Sequence, residues 1–269
     1  MRKQFRLGVI GGGFMGYSIV KGAIESEFLR ANRIIVSDCN EESLQKFRDY
    51  GCCAVTDNTK AASLCDYLLF AVKPQHFPQV AEGIKACPCR KVISIMAGIE
   101  RRKIKGMLPQ VAQVCRVMPN LPCSIGSGMV AADVSDFSDQ DDLDFFAGLF
   151  DSLGSYLPVE EEKMHAVTGI SGSGPAYVFL FIKALIEAGE RQGLTRDEAS
   201  VLAAQTVAGG VDMYIHEKDS TDIDTLIQRV CSKGGTTERA MKSFEEDGFL
   251  GVVDRAVDAC VRRSKELAE

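Results

Sequence analysis

Leu7-Gly8-Val9-Ile10-Gly11-Gly12-Gly13-Phe14-Met15-Gly16 stands almost at the start of the chain and decides its class. Four residues of buried-strand character run into a glycine turn, and the amphipathic stretch from Tyr17 to Leu29 follows as a helix. Gly11, Gly13 and Gly16 fall on the G-x-G-x-x-G spacing of a dinucleotide-binding loop. Gly11 makes the tight turn, Gly13 lets backbone approach a pyrophosphate, and Gly16 lets the helix pack closely on the strand. The helix N-terminus then offers N–H groups and a positive dipole end to phosphate. A glycine-rich turn with a purely structural job has the same spacing; the strand before it and the helix after it favour the nucleotide loop.

Outward from that loop the first half alternates strands and helices, which implies a parallel sheet with helices on both faces. Expected strands are Leu7–Ile10, Arg33–Ser37, Tyr67–Ala71, Lys91–Ile95, Gln113–Val117, Gly128–Ala132 and Ser155–Val159. Helical patterns lie between them, such as Glu41–Tyr50 before Gly51 and Gln75–Ala86 behind Pro74. From Lys163 onward strand patterns vanish. Helices are expected over Pro175–Gln192, Thr195–Tyr214, Asp222–Val230, Thr236–Glu246 and Leu250–Leu267. The fold class is α/β: a Rossmann-type dinucleotide-binding domain over residues 1–162, then an all-α domain over 163–269. The helical half is apolar for its size, and dimerisation through it is the simple remedy.

The 269 residues carry a formal net charge of −6, which argues against a general nucleic-acid binder. No stretch reads as long and apolar enough to span a bilayer; Ala176–Gly189 comes closest and is interrupted by Lys183 and Glu187. The N-terminus runs straight into the first strand and leaves no room for a signal peptide, so a cytoplasmic protein is expected. Ten scattered cysteines form no C-x-x-C pair, so free thiols and no metal site are expected.

Open sheets of this type bind ligands at the carboxyl ends of their strands. At Val36-Ser37-Asp38, an acidic residue 22 positions beyond Gly16 fits the ribose-binding role that favours NADH, and also fits a helix cap. Ala71-Val72-Lys73-Pro74-Gln75 ends another strand, where Lys73 reaches a phosphate or simply faces water. Ser94-Ile95-Met96-Ala97-Gly98 ends the next in mostly small residues suited to flanking a nicotinamide ring. Lys233-Gly234-Gly235-Thr236-Thr237 precedes a helix and can cradle an anion without being a Walker loop. His76, His165 and His216 form no recognisable dyad, so a reaction needing hydride delivery and no strong protein base suits the chain.

Five blocks in order, IGGGFMG (10–16), AVKPQ (71–75), RVMPNLP (116–122), AVTGISGSGPAY (166–177) and CSKGGTTERAM (231–241), make the chain resemble the pyrroline-5-carboxylate reductases. The resemblance implies reduction of 1-pyrroline-5-carboxylate to L-proline with NADPH or NADH, the last step of proline biosynthesis. It implies coenzyme contacts at Gly11, Gly13, Phe14, Met15, Gly16, Ser37, Asp38, Asn58, Ala71, Val72, Lys73, Pro74, Ser94, Met96 and Ala97. It places the substrate carboxylate on the backbone of Gly235, Thr236 and Thr237, with the Thr237 hydroxyl near the ring nitrogen. Glu161 matches an acidic position near the substrate, and equally reads as part of a surface charge run. Homodimers, often assembled into a decamer, are implied as well. Lys233 stands where the family often has proline, and Asp38 would repel the extra phosphate of NADP. Alternatives are another Rossmann reductase using Lys183 as proton donor, and a non-catalytic nucleotide sensor.

Overall fold

The computed structural model describes residues 4–268. The chain forms two compact units: residues 4–173 joined by 260–268, and residues 174–259. This division by contacts falls some ten residues after the expected 162/163 boundary, and the end of the last helix returns to the first unit.

The first unit is built on an eight-stranded sheet: β1 (Phe5–Ile10), β2 (Ile34–Ser37), β3 (Cys53–Val55), β4 (Cys65–Phe70), β5 (Lys91–Ser94), β6 (Gln113–Met118), β7 (Gly128–Asp133) and β8 (Gly154–Pro158). Their order is β3-β2-β1-β4-β5-β6-β7-β8. The first six are parallel in the doubly-wound order 3-2-1-4-5-6. β7 pairs antiparallel to β6, and β8 runs with β7, so the expectation of a wholly parallel sheet is corrected at this edge. The cause is local. The link from β6 is a short 3-10 turn over Leu121–Ile125 ended by left-handed Gly126, and reversal without a crossover helix gives antiparallel pairing.

Helices α1 (Phe14–Glu25), α2 (Glu41–Asp49), α3 (Asn58–Leu64), α4 (Phe77–Ile84), α5 (Arg101–Met107) and α6 (Gln140–Asp151) cover both faces. The strands sort their side chains with period two. Leu7, Val9, Tyr67 and Leu69 join Ile19, Val20, Phe146 and Leu149 in one core layer. Leu68 and Phe70 join Ala61, Phe77, Ile84 and Ile104 in the other. Two short helical segments, α7 (Met164–Val167) and a π-turn over Thr168–Gly172, lead out of the sheet.

The second unit contains α8 (Gly174–Arg191), α9 (Arg196–Glu217), α10 (Ile223–Val230), α11 (Thr236–Glu246) and most of α12 (Phe249–Glu266). Gly193 at φ +96° follows α8, and Thr195 and Glu198 form the expected capping box of α9. Among the described residues of this unit the fully buried apolar side chains are Ala199 and Ala203. Phe179, Leu180, Val201 and Ile215 are each more than half exposed within one chain. Within Glu161–Arg191 an 18-residue window has mean hydropathy 1.4 and is, by length and composition, long and apolar enough to cross a membrane. By length and composition that overturns the expectation that no stretch would be.

One buried polar cluster pins α6 to the sheet. Asp142 accepts from Lys91 Nζ at 2.6 and 2.8 Å and from the Tyr67 hydroxyl, while the Tyr67 ring stacks on Phe145. Lys91 is 35% exposed and can turn to water, so losing its partner costs less than breaking a fully buried pair. The Tyr67 hydroxyl has no such escape. Asp142→Ala is expected to lower stability by about 2 kcal/mol, measured by urea unfolding. A loss indistinguishable from zero would show the cluster to be energetically idle.

Candidate functional site

The carboxyl ends of β1 and β4 adjoin at the point where strand order reverses, and the glycine turn sits there. Gly11 has φ +108°, and a Cβ on it would stand 2.6 Å from the carbonyl carbon of Ala71. Position 11 therefore demands glycine on two counts. Its N–H donates to Ser37 O at 2.8 Å, and Ala71 N–H donates to Ile10 O at 2.9 Å. A Cβ on Gly16 would meet Gly11 O at 2.3 Å, so α1 packs on the turn as closely as backbone allows. Gly13 differs. It caps α1 without a side-chain bond, and the space its Cβ would fill holds no protein atom within 4 Å.

That space is part of a cavity of about 490 Å³. Gly11, Gly13, Ser37, Asp38, Asn58, Ala71, Val72 and Lys73 line it, as expected for coenzyme contacts. An open cradle at a helix N-terminus, with acidic and basic side chains on its walls, fits a dinucleotide. Sequence reasoning missed Cys39, His76, Gln79 and Val80, which also line it. His76, Gln79 and Val80 lie three, six and seven positions after Lys73. Following that face into α4 would have found them.

Asp38 is not the cap of α2. Its Oδ2 accepts from Gly12 N–H at 2.6 Å and its Oδ1 from Asn40 N–H at 2.8 Å. Asn40 caps the helix, accepting from Glu42 and Ser43 N–H. Asp38 thus fastens the glycine loop to the end of β2. Ser37 is fully buried, and its hydroxyl donates to Asn58 Oδ1 at 2.6 Å, orienting that amide. Lys73 is exposed and enters no ion pair among the described residues.

After β5, Ser94 is fully buried and its hydroxyl accepts from Met96 N–H at 3.4 Å. The Met96 side chain is packed in the core, so backbone and Ala97 are what this turn can offer a ligand. Phe14 is exposed, Met15 and Pro74 are half-buried, and none of the three lines the cavity.

Glu161 is neither free nor on the surface. Its carboxylate accepts from Arg101 N–H and Arg101 Nε, both at 2.9 Å, and from Arg116 Nη1 at 3.1 Å. Burial pushes this carboxyl up, but the Arg101 bonds and the two guanidinium charges outweigh it and hold it below the usual range. His165 pairs through Nδ1 with Ser264 Oγ at 2.9 Å. Burial and the nearby Arg116 and Lys265 charges push its pKa down.

In the second unit, Gly234 at φ +74° turns the chain and Gly235 caps α11 with no side-chain bond. A Cβ on Gly235 would meet Ser232 Oγ at 2.4 Å. Glu238 accepts from Gly234 N–H at 2.7 Å. The N–H groups at Thr236 and Thr237 begin the helix, and four such groups at any helix start lack intrahelical partners. Lys233 is exposed beside them.

Comparison with known proteins agrees with both units. A family model described as pyrroline-5-carboxylate reductase dimerisation matches residues 161–267, and one described as NADP oxidoreductase, coenzyme F420-dependent, matches 6–98. The pyrroline-5-carboxylate reductase of Synechocystis is 37% identical over 99% of each chain. A solved pyrroline-5-carboxylate reductase from Coxiella burnetii superimposes with TM-score 0.90 at 32% identity, over 99% of this chain and 100% of that one. The Plasmodium falciparum pyrroline carboxylate reductase, solved with NADP bound, gives TM-score 0.88 at 29% identity and covers each chain in full. Likeness of this depth, running end to end through the nucleotide cavity and the helices beyond it, means that the chain belongs to the pyrroline-5-carboxylate reductase family of NAD(P)H-dependent oxidoreductases.

Proposed function

We propose that the chain reduces 1-pyrroline-5-carboxylate to L-proline, the last step of proline biosynthesis. The observation that carries this is the full-length likeness to pyrroline-5-carboxylate reductases, in a chain whose switch-point cavity fits the coenzyme. Bound NAD(P)H supplies the hydride. The glycine loop from Gly11 to Gly16, with Phe14 and Met15 in its first helical turn, would hold the pyrophosphate. Lys73, on the cavity wall, would border the ribose, and the turn Ser94–Ala97 would lie beside the nicotinamide. A cyclic imine is readily protonated, so its ring carbon draws hydride without a strong protein base. What remains for the protein is orientation and carboxylate binding. The backbone at Gly235, Thr236 and Thr237 holds the carboxylate, through the Thr236 and Thr237 N–H groups because Gly235 N–H already donates to Ser232 O at 2.9 Å, and the Thr237 hydroxyl hydrogen-bonds near the ring nitrogen. Lys233 adds a cation at the start of that loop.

Asp38 tilts the enzyme toward NADH. Two backbone N–H bonds fix its carboxylate on the cavity wall and leave lone pairs for a ribose hydroxyl. Its fixed negative charge opposes a 2′-phosphate at the same place. The exposed apolar faces of α8 and α9 meet a second copy of the chain rather than lipid or nucleic acid. The helical domain, taken as 163–269, makes a dimer that assembles into a decamer, and the enzyme works in the cytoplasm.

Asp38→Asn keeps one acceptor for the loop and removes the charge. It should raise the NADPH to NADH ratio of kcat/KM about tenfold, equivalent to about 1.4 kcal/mol; an unchanged ratio would refute the role. Thr237→Ala should lower kcat/KM for pyrroline-5-carboxylate roughly tenfold to a hundredfold, the worth of a hydrogen bond to a charged group. Coenzyme affinity should stay near wild type, and equal loss of coenzyme binding would make the loop structural. Light scattering in detergent-free buffer should report dimers or their multiples. A monomer there, or recovery only with the membrane fraction, would overturn the assembly.

A further inference from the structure

We infer that Glu161 is a positioning residue for the coenzyme's reacting end, acting through Arg101 and Arg116 without touching the substrate. This rests on the coenzyme reading above. Arg101 is the first residue of α5, and the residue before it, Glu100, makes no side-chain cap. The carboxylate of Glu161, sixty positions later in sequence, takes that first N–H instead. It is a cap supplied from another element. The same carboxylate grips the Arg101 side chain and reaches Arg116, a buried residue of β6.

The segment so fastened is the turn between β5 and α5, residues 95–100. Its near end is tied by Ile95 N–H donating to Phe70 O, at the end of β4. Its middle is Gly98, at φ +75°, where a Cβ would stand 2.9 Å from Leu267 O. Its far end is Arg101, held by Glu161. β5 lies beside β4, one strand out from the switch point, and the coenzyme reading above sets the turn after it beside the nicotinamide. Fixing it fixes the face against which the nicotinamide lies.

Arg101 is held from its other side too. Its guanidinium pairs with Asp133 at 3.2 Å and Asp136 at 3.5 Å and donates to Ser135 Oγ at 2.5 Å. Asp136 in turn accepts from Val114 N–H and Lys105 Nζ. Glu161 is therefore one acid of a cluster spanning α5, β6, the loop after β7, and the start of the helical segment. Every contact the structure gives its carboxylate is to an arginine of this cluster. A carboxylate so engaged has its charge already answered and is poorly placed to serve a substrate ring.

Glu161→Gln tests this, because the amide keeps an acceptor for the Arg101 N–H and removes the charge. Loss of orientation should lower kcat about tenfold and weaken NAD(P)H binding several-fold, with KM for pyrroline-5-carboxylate unchanged within about twofold. Coenzyme dissociation constants are read from nicotinamide fluorescence, and the melting temperature of the coenzyme-free protein is read separately. The folded carboxyl is held below its unfolded value, so its stabilisation is fully present above the ordinary carboxylate range and is lost as pH falls below it. The coenzyme-free wild type should therefore lose more melting temperature on acidification than Glu161→Gln. A selective rise in KM for pyrroline-5-carboxylate, with coenzyme affinity and kcat intact, would overturn the inference and make Glu161 a substrate contact. Wild-type values throughout would overturn it equally. Should Glu161→Gln fail to fold, Arg101→Lys keeps the backbone cap and the charge but loses the Nε fork. It should show the same split more mildly, and a selective substrate effect there would also overturn it. A wild type inactive on pyrroline-5-carboxylate would instead refute the proposed reaction, and coenzyme affinity and melting would still report on Glu161.

Discussion

Everything in the nucleotide unit depends on how closely two backbones approach at Gly11 and Ala71. No side chain fits between them, and the hydrogen bonds on either side of the contact clamp β1 to its neighbours at their carboxyl ends. Because β1 stops there, α1 starts there, with Gly13 at its N-terminus lining the cavity. Because β4 stops there, the chain leaves through Val72 and Lys73 along the cavity wall. Closeness of backbone thus becomes the location of a binding site, through nothing more elaborate than the absence of a Cβ.

The charged cluster around Arg101 solves a different difficulty. Strands β7 and β8 run against the other six, and the chain must leave that reversed edge to build helices. At this junction Arg101, Arg116, Asp133, Asp136 and Glu161 pair with one another under partial or full burial. Such a cluster adds little net stability over a well-packed apolar one, because desolvation offsets attraction. Its advantage is direction: Arg101 guanidinium nitrogens aimed at separate partners, Nε at Glu161, Nη1 at Ser135 and Nη2 at Asp133, hold one geometry where aliphatic contacts tolerate several.

Much of this was legible in the sequence. The glycine spacing, the helix ends at Gly51 and Gly193 and the Thr195 capping box follow from local chemistry, and the structure has them. The misses have physical causes. β3 is a three-residue edge strand, half-buried, too short for any period to register. The reversal at β7 turns on a 3-10 link whose outcome depends on what the next strand pairs with. Asp38 reads as a ribose contact that also suits a cap, and Asn40 takes the cap, leaving Asp38 on the cavity wall bound to Gly12. Glu161 looks like one more acid in a charge run. Only the distant Arg101 and Arg116 distinguish it from Glu160 and Glu162, and sequence spacing carries no trace of that meeting.

Helix starts tie the two kinds of site together. Asn40, Asp57, Asp139, Thr195 and Asp222 each cap their own helix with a side chain. Helix α4 grows out of a 3-10 turn that already uses its first N–H, and α5 borrows Glu161. Helices α1 and α11 do neither: each begins at a glycine with no side-chain cap. At position 235 a Cβ would meet Ser232 Oγ and O, whereas at position 13, where it would meet no protein atom, a serine or aspartate would gain stability by satisfying an orphan N–H, typically about 1 kcal/mol. It would also occupy the space an anion needs. Helix α1 therefore forgoes a stabilisation that five others take, at the N-terminus proposed above to hold the coenzyme pyrophosphate. An uncapped glycine start with room for a side chain, in a chain where five helices carry side-chain caps, is a signal that composition and periodicity do not carry.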